Sequence, residues 1–302
     1  MTTPPRCHFL LTALTALTAL AALTALAACE DGLDQRLSIV DAPRVLAIVA
    51  EPAEARPGET VAYRALVAGP EGTLDAAPRW SYCTAPKPPT EDNAVATRCA
   101  AGAALEPLGD APSVTAALPA DACRRFGPEV PPGNFRPRDP DPTGGFYQPV
   151  RADVDPLIAF GLSRITCKLG NVTADISREY ELRYVANRNP ALELPDAPAL
   201  ATVPAHAAVA LTASWPADAA EPYLYYDQLA QALTTRREAM RLSWFATAGA
   251  LDVDASAVGE DDPATGVTTT WHTPGPGPAT LWFVLRDSRG GVATRAVSVI
   301  VQ

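Results

Sequence analysis

The side chains best equipped for chemistry in this 302-residue chain are its cysteines. Cys83, Cys99, Cys123 and Cys167 form an even set with no C-x-x-C pair, the close spacing a zinc site would use. Such a set points to two disulfides, and so to an oxidising compartment. Three pairings are open to four cysteines. Cys83–Cys99, closing a short loop, and Cys123–Cys167, tying a Pro-rich loop to a later strand, are the favoured pair. Carboxylates offer the next chemistry. Asp139 and Asp141, in Asp139-Pro140-Asp141-Pro142-Thr143-Gly144-Gly145, open like a calcium loop, with acids at alternate positions and Gly at the sixth. The match then fails, with Thr143 at the fifth position and Val150 where a bidentate Glu belongs. Asp252 and Asp254, followed by Glu260, Asp261 and Asp262, make a second acidic loop. Calcium is the one cofactor either loop suggests; a rigid turn and a solvated loop are the plainer readings.

Enzyme signatures are absent: no nucleophile elbow, P-loop, paired-His zinc helix or Gly-rich dinucleotide turn occurs. His206 and His272 stand far apart in sequence, and a glycosidase-type carboxylate pair cannot be picked from 34 acidic residues. No catalytic activity is therefore expected, a hydrolase with an unrecognised carboxylate site being the remaining enzymatic alternative. Phe146 and Tyr147, beside Gly144-Gly145, and the cluster Tyr223, Tyr225 and Tyr226 are candidate platforms for a glycan or peptide.

Cys29 differs from the other cysteines. It ends a long apolar run from Phe9, directly after Leu26-Ala27-Ala28 and before Glu30-Asp31. The run is nearly long enough for a membrane anchor. Its small-residue end and the acidic residues behind it favour cleavage instead. The stretch resembles the lipobox of bacterial lipoproteins. That resemblance implies that residues 1–28 are a signal peptide, that Cys29 is lipidated (palmitate among its acyl chains), and that the mature protein sits in the cell envelope, attached to a membrane through its N-terminal lipid.

Charge narrows the partners. The chain carries 24 basic and 34 acidic residues, a net of −10. Loss of residues 1–28 removes one positive charge, Arg6, and takes the net to −11. An acidic surface excludes nucleic acid, whose phosphates call for clustered Lys and Arg. The partner left open is an envelope protein or a glycan.

The elements that must position these residues are mostly short strands, as 31 Pro and 19 Gly among short apolar runs suggest. Residues 29–42 read as a tether. Strands are expected near Arg44–Ala50, Thr60–Ala68 and Arg79–Cys83, separated by Pro-Gly turns, with Trp80 inside the third. Residues 84–150 show no clear period. Leu157–Leu169 returns to strand character, and Val172, Ile176, Tyr180 and Tyr184 mark an amphipathic helix between 171 and 188. Pro-rich residues 191–205 read as a linker. Beyond it, strands are expected at Ala207–Trp215 and Glu238–Ala248, a helix at 223–237 from the stripe Tyr226, Leu229, Ala230 and Leu233, and a closing hairpin at Pro278–Arg286 and Val292–Val301. The order strand, turn, strand, turn, Trp-bearing strand, and the closing hairpin, resemble Ig-like and PKD-like modules of exported bacterial proteins.

The reading is a mainly β protein: two Ig-like/PKD-like antiparallel sandwiches with short helical insertions, residues 43–190 and 206–302. It resembles Ala- and Pro-rich lipoproteins of high-GC bacteria, which implies a structural or protein-interaction role in the envelope. Any binding surface is expected on the long loops, 124–156 and 250–264, rather than on the sheets. The alternative is adhesion or glycan binding through the aromatic loops.

Overall fold

Alternation of buried and exposed residues along short segments builds an almost entirely antiparallel β protein. The computed structural model describes residues 37–88, 90–129 and 142–302. Cys29, Asp139, Asp141, the expected signal peptide and most of the tether lie outside these residues. Contacts divide the chain after Leu37, and the strands and helices of the described residues belong to the unit Ser38–Gln302.

The first half contains β1 (Arg44–Glu51), β2 (Glu54–Ala55), β3 (Thr60–Gly69), β4 (Gly72–Thr73), β5 (Arg79–Cys83), β6 (Leu105–Asp110), β7 (Ser113–Ala117), β8 (Gly145–Val154) and β9 (Leu157–Thr166). One sheet runs β1-β3-β4, with β7 also on β3, and the other runs β2-β9-β8-β5-β6. Val61 and Tyr63 from the first sheet meet Trp80, Tyr82, Val150 and Ala152 from the second in a closed core. Among its described residues, the aperiodic stretch 84–150 thus holds β6, β7 and the start of β8. β6 and β7 are short, polar and largely exposed, so no apolar rhythm announced them.

The second half contains β10 (Thr202–Val203), β11 (Ala208–Ser214), β12 (Pro222–Asp227), β13 (Ala232–Arg237), β14 (Met240–Ala246), β15 (Ala250–Leu251), β16 (Ala255–Val258), β17 (Gly266–His272), β18 (Gly277–Asp287) and β19 (Val292–Val301). A five-stranded sheet in the order β10-β19-β18-β14-β16 faces the sheet β11-β17-β15. Trp244, Trp271, Leu281, Phe283 and Leu285 fill the space between them. Residues 191–205, expected as a linker, contribute Leu192, Leu200 and Val203 to this core, and β10 adds in parallel to the end of β19.

A third apolar layer joins the halves. Leu46, Ala47, Val49 and Ala68 on the outer face of the β1-β3 sheet pack against Trp282, Val284 and Val292 on the outer face of the β18-β19 sheet. A bulge between Val45 and Ala47 places Leu46 and Ala47 in that layer together. The chain also enters by this sheet, Val40 N donating to Ala246 O and Ala246 N to Ser38 O, each at 2.9 Å.

Residues 223–237 are not the expected helix. They form the β12–β13 hairpin, paired from Pro222–Arg237 to Asp227–Ala232. Leu224 and Tyr226 point one way, into a cluster with Leu169 and Tyr180. Tyr223 and Tyr225 point the other way, the second stacked under the Arg236 guanidinium at 3.6 Å. This period of two, in a stretch rich in Tyr and Thr, outweighs the helical stripe. Asp227 closes the turn by accepting from the N–H groups of Leu229 and Ala230. The other expected helix forms over Ala174–Arg183, capped by Thr173, and ends before the stretch Val185–Asn189, which is not helical.

Trp80 and Trp244 each lie buried in their core with an indole N–H satisfied, by Ala111 O at 2.8 Å and Ser256 Oγ at 3.0 Å. Trp80→Ala and Trp244→Ala should each lower unfolding free energy by about 3–5 kcal/mol in urea titrations. A loss below about 1 kcal/mol would mean that the ring is not a core group.

Candidate functional site

Disulfides anchor the first half. Cys83 pairs with Cys99 and Cys123 with Cys167, the favoured pairing. The first closes a loop whose short helix, Thr97–Ala100, ends on the Arg151 guanidinium. Arg151 Nη1 donates to the carbonyls of Cys99 at 2.7 Å and Ala100 at 2.8 Å. Beside this loop opens a cleft of about 420 Å³, walled by Ala85, Pro86, Pro88 and Ala96 with Glu91 and Arg98. Glu91 is already engaged, accepting from Thr97 N at 2.7 Å.

Phe146 and Tyr147 do not form a platform. Adjacent positions on β8 send them to opposite faces. Phe146 is buried with Ala122, Ile165 and the Cys123–Cys167 bridge. Tyr147 donates its hydroxyl to Arg289 O and accepts from Arg164 Nη1, each at 3.2 Å, and so links the two halves. Within the loop expected over 124–156, Gly145–Val154 is therefore strand β8. In the other loop, Asp252 accepts from His272 Nε2 at 2.8 Å; that bond and one from Thr270 hold its carboxyl below the usual range. Asp254 uses its main-chain carbonyl, accepting from Trp244 N at 3.0 Å. Among the described residues, no group of three or more His, Cys, Asp or Glu is arranged to hold a metal ion. None of their helices is long and apolar enough to cross a membrane.

What sequence reading missed is a set of buried charges. Arg164, with 1% of its side chain exposed, donates to Glu54 at 3.1 Å, to Tyr147 and to Thr143. Glu54 also receives Thr166 Oγ1, Asn187 N and the Tyr184 hydroxyl. Burial, then the Glu54 charge, raises the Tyr184 pKa, so that hydroxyl stays a donor. Gly144-Gly145 makes the room: a Cβ at Gly145 would overlap the Arg164 guanidinium, and one at Gly144 the Tyr180 hydroxyl. A second nest surrounds Arg289, which donates to Glu238 at 2.7 Å and Glu221 at 3.1 Å.

The segment Val185–Asn189 straps the two nests together. Val185 O accepts from Arg289 Nη1, Asn187 N donates to Glu54, Asn187 Nδ2 to Asp287, and Arg188 pairs with Glu221. Asn189 donates to Ala50 O and Glu51 in the first half and accepts from Val292 N in the second. Each charged residue here reads as an ordinary surface group in sequence; only an acid or Arg inside an apolar strand, such as Arg164 in β9, hinted otherwise. The arrangement orients and rigidifies.

No family model and no curated protein matches this chain. Among solved structures it is similar to the fibronectin(III)-like modules of Clostridium thermocellum CbhA, at 10% identity and a TM-score of 0.24, over 86% of this chain and 94% of that one. It is also similar to the D0-D1 domain of intimin, at 12% identity and a TM-score of 0.21, over 84% of this chain and 98% of that one. The Yersinia pseudotuberculosis adhesin InvE is matched at 9% identity and a TM-score of 0.24, over 84% of this chain and 58% of that one.

Arg164→Met would leave the Glu54 charge buried and unpaired, at a cost of about 3–5 kcal/mol in urea unfolding. Replacing both, as Glu54→Gln with Arg164→Met, should recover much of that loss. A double variant that loses as much as the sum of the two single variants would show that the pair is not coupled.

Proposed function

We propose that this chain is a lipid-anchored envelope protein whose β body serves as a structural or protein-interaction module. The observation that carries this reading is the allocation of thiols. The four cysteines downstream of Cys29 are consumed in two disulfides, so none of them is left to pair with Cys29. With Cys7 inside the segment that cleavage would remove, a cysteine directly after Leu26-Ala27-Ala28 at the end of an apolar run suits lipidation rather than a bridge. Disulfides on this scale also belong to a compartment outside the cytoplasm.

The interaction half of the reading is supported by rigidity. Closure of loops spanning 16 and 44 residues of sequence stabilises a fold by about 3 and about 4 kcal/mol through the unfolded state. Buried ion pairs further specify one arrangement of the halves, which suits a scaffold that holds a partner at a fixed geometry. No catalytic step is assigned. Glycan binding has less support, since Phe146 is buried and Tyr147 is committed to Arg164 and Arg289.

Expressed in a bacterium with an alkyne-tagged palmitate, the full chain should take up the label and fractionate with membranes. Cys29→Ala should lose the label and shift out of the lipid-anchored fraction. An unlabelled wild-type protein, or a variant labelled as strongly as wild type, would overturn the anchor.

A further inference from the structure

We infer that the buried nest around Arg289 is a proton-dependent clasp, which takes up a proton in mild acid and holds the two halves more tightly in that form. Three carboxylates, Glu221, Glu238 and Asp287, are buried together. The buried cation among them is Arg289, 2% exposed; Arg188 reaches Glu221 from the rim, 71% exposed. The pairings use both cations on two acids. Glu221 takes Arg188 and Arg289, and Glu238 takes Arg289 Nε together with Glu221 N at 2.9 Å. Asp287 is left with neutral donors: the N–H groups of Arg289 and Gly291 and the amide of Asn187. Fully ionised, the nest carries one uncompensated negative charge away from water, a state that burial penalises heavily.

One proton cancels that excess, and Glu238 is the group placed to take it. Its side chain is fully buried. The groups that face it are Arg289 from the β18–β19 turn, Asp287 at the end of β18, Glu221 just before β12, Tyr223 within β12, and Arg188 from the strap. Burial, and then the Asp287 charge, push the Glu238 carboxyl up to about 7 against the pull of Arg289. Burial raises Asp287 as well. A carboxyl raised in the folded state adds stability below its unfolded value, and that stability is lost as pH climbs through the folded value. For Glu238 the window runs from the ordinary carboxyl near 4.5 to about 7.

The clasp has mechanical reach because the first half ends on it. The strap residues Val185, Asn187 and Arg188 close over the nest, and Tyr147 of β8 donates to Arg289 O. A repulsive nest therefore loosens the strap that bonds Glu54 and Ala50. Room for an alternative packing is small: a Cβ at Gly291 would overlap Asp287 and approach the Arg188 carbonyl at 2.8 Å.

The test uses the purified full chain and Glu238→Gln, melted between pH 6 and pH 8.5. Wild type should lose a few degrees of Tm on going from pH 6 to pH 8.5. The variant should lose less, since the exposed His206 and His272 are common to both proteins and cancel in the comparison. Parallel Tm curves would overturn the proposal. Amide exchange on wild type decides the matter should the variant not fold. After correction for intrinsic rates, the N–H groups of Asn187, Arg188 and Val292 should be less protected at pH 8.5 than at pH 6. Equal protection at the two pH values would overturn the clasp.

Discussion

β18 is buried on both faces, and the architecture depends on that. Leu281, Phe283 and Leu285 enter the second core, while Trp282 and Val284 point the other way, into the layer shared with β1 and β3. An antiparallel sheet in a free sandwich ordinarily shows one face to water. A strand with large apolar groups on both sides has to be covered twice, once by β11 and β17 and once by the first half. Exposing Trp282 and Val284 would return several kcal/mol of hydrophobic surface to water. The halves are thus bound by the same force that closes each core.

Apolar contact sets the distance between the halves but says little about their rotation, because hydrophobic attraction is not directional. The strap supplies direction. Its hydrogen bonds to Glu54, Asp287, Glu221 and Arg289 are satisfied in one relative placement only. Burying these charges is unfavourable by itself, and ion pairs of this kind add less to stability than to specificity. Trp282 and its neighbours hold the halves together; Arg164, Arg289 and the strap choose how.

Much of the β pattern was legible because strand periodicity and turn chemistry are local. β1, β3 and β5 with their Pro-Gly turns, the β18–β19 hairpin and the helix after Thr173 all carry their signal within ten or so residues. The run Leu281-Trp282-Phe283-Val284-Leu285 also held a signal that alternation hides, since five apolar residues in succession describe a strand covered on both sides. The β12–β13 hairpin is easily misread because Tyr226, Leu229, Ala230 and Leu233 fit a helical stripe by chance. Leu229 lies almost fully exposed at the hairpin turn and packs no face at all. Phe146 and Tyr147 looked like a surface pair because Gly144-Gly145 resembles a loop. Those glycines instead clear space for Arg164 and Tyr180, a need visible only once β8 and β9 are paired.

By itself, the amino-acid order determined the fold class, the even set of four cysteines and the apolar run ending at Cys29, because each depends on residue type and near-neighbour spacing. The disulfide partners, the shared layer under Trp282 and the buried nests around Arg164 and Arg289 were decided by tertiary structure. Glu54 and Arg164, or Glu238 and Arg289, stand 110 and 51 residues apart. Whether a charge is solvated or buried depends on what folds over it, and beyond the apolar strand around Arg164 no local pattern carries that information.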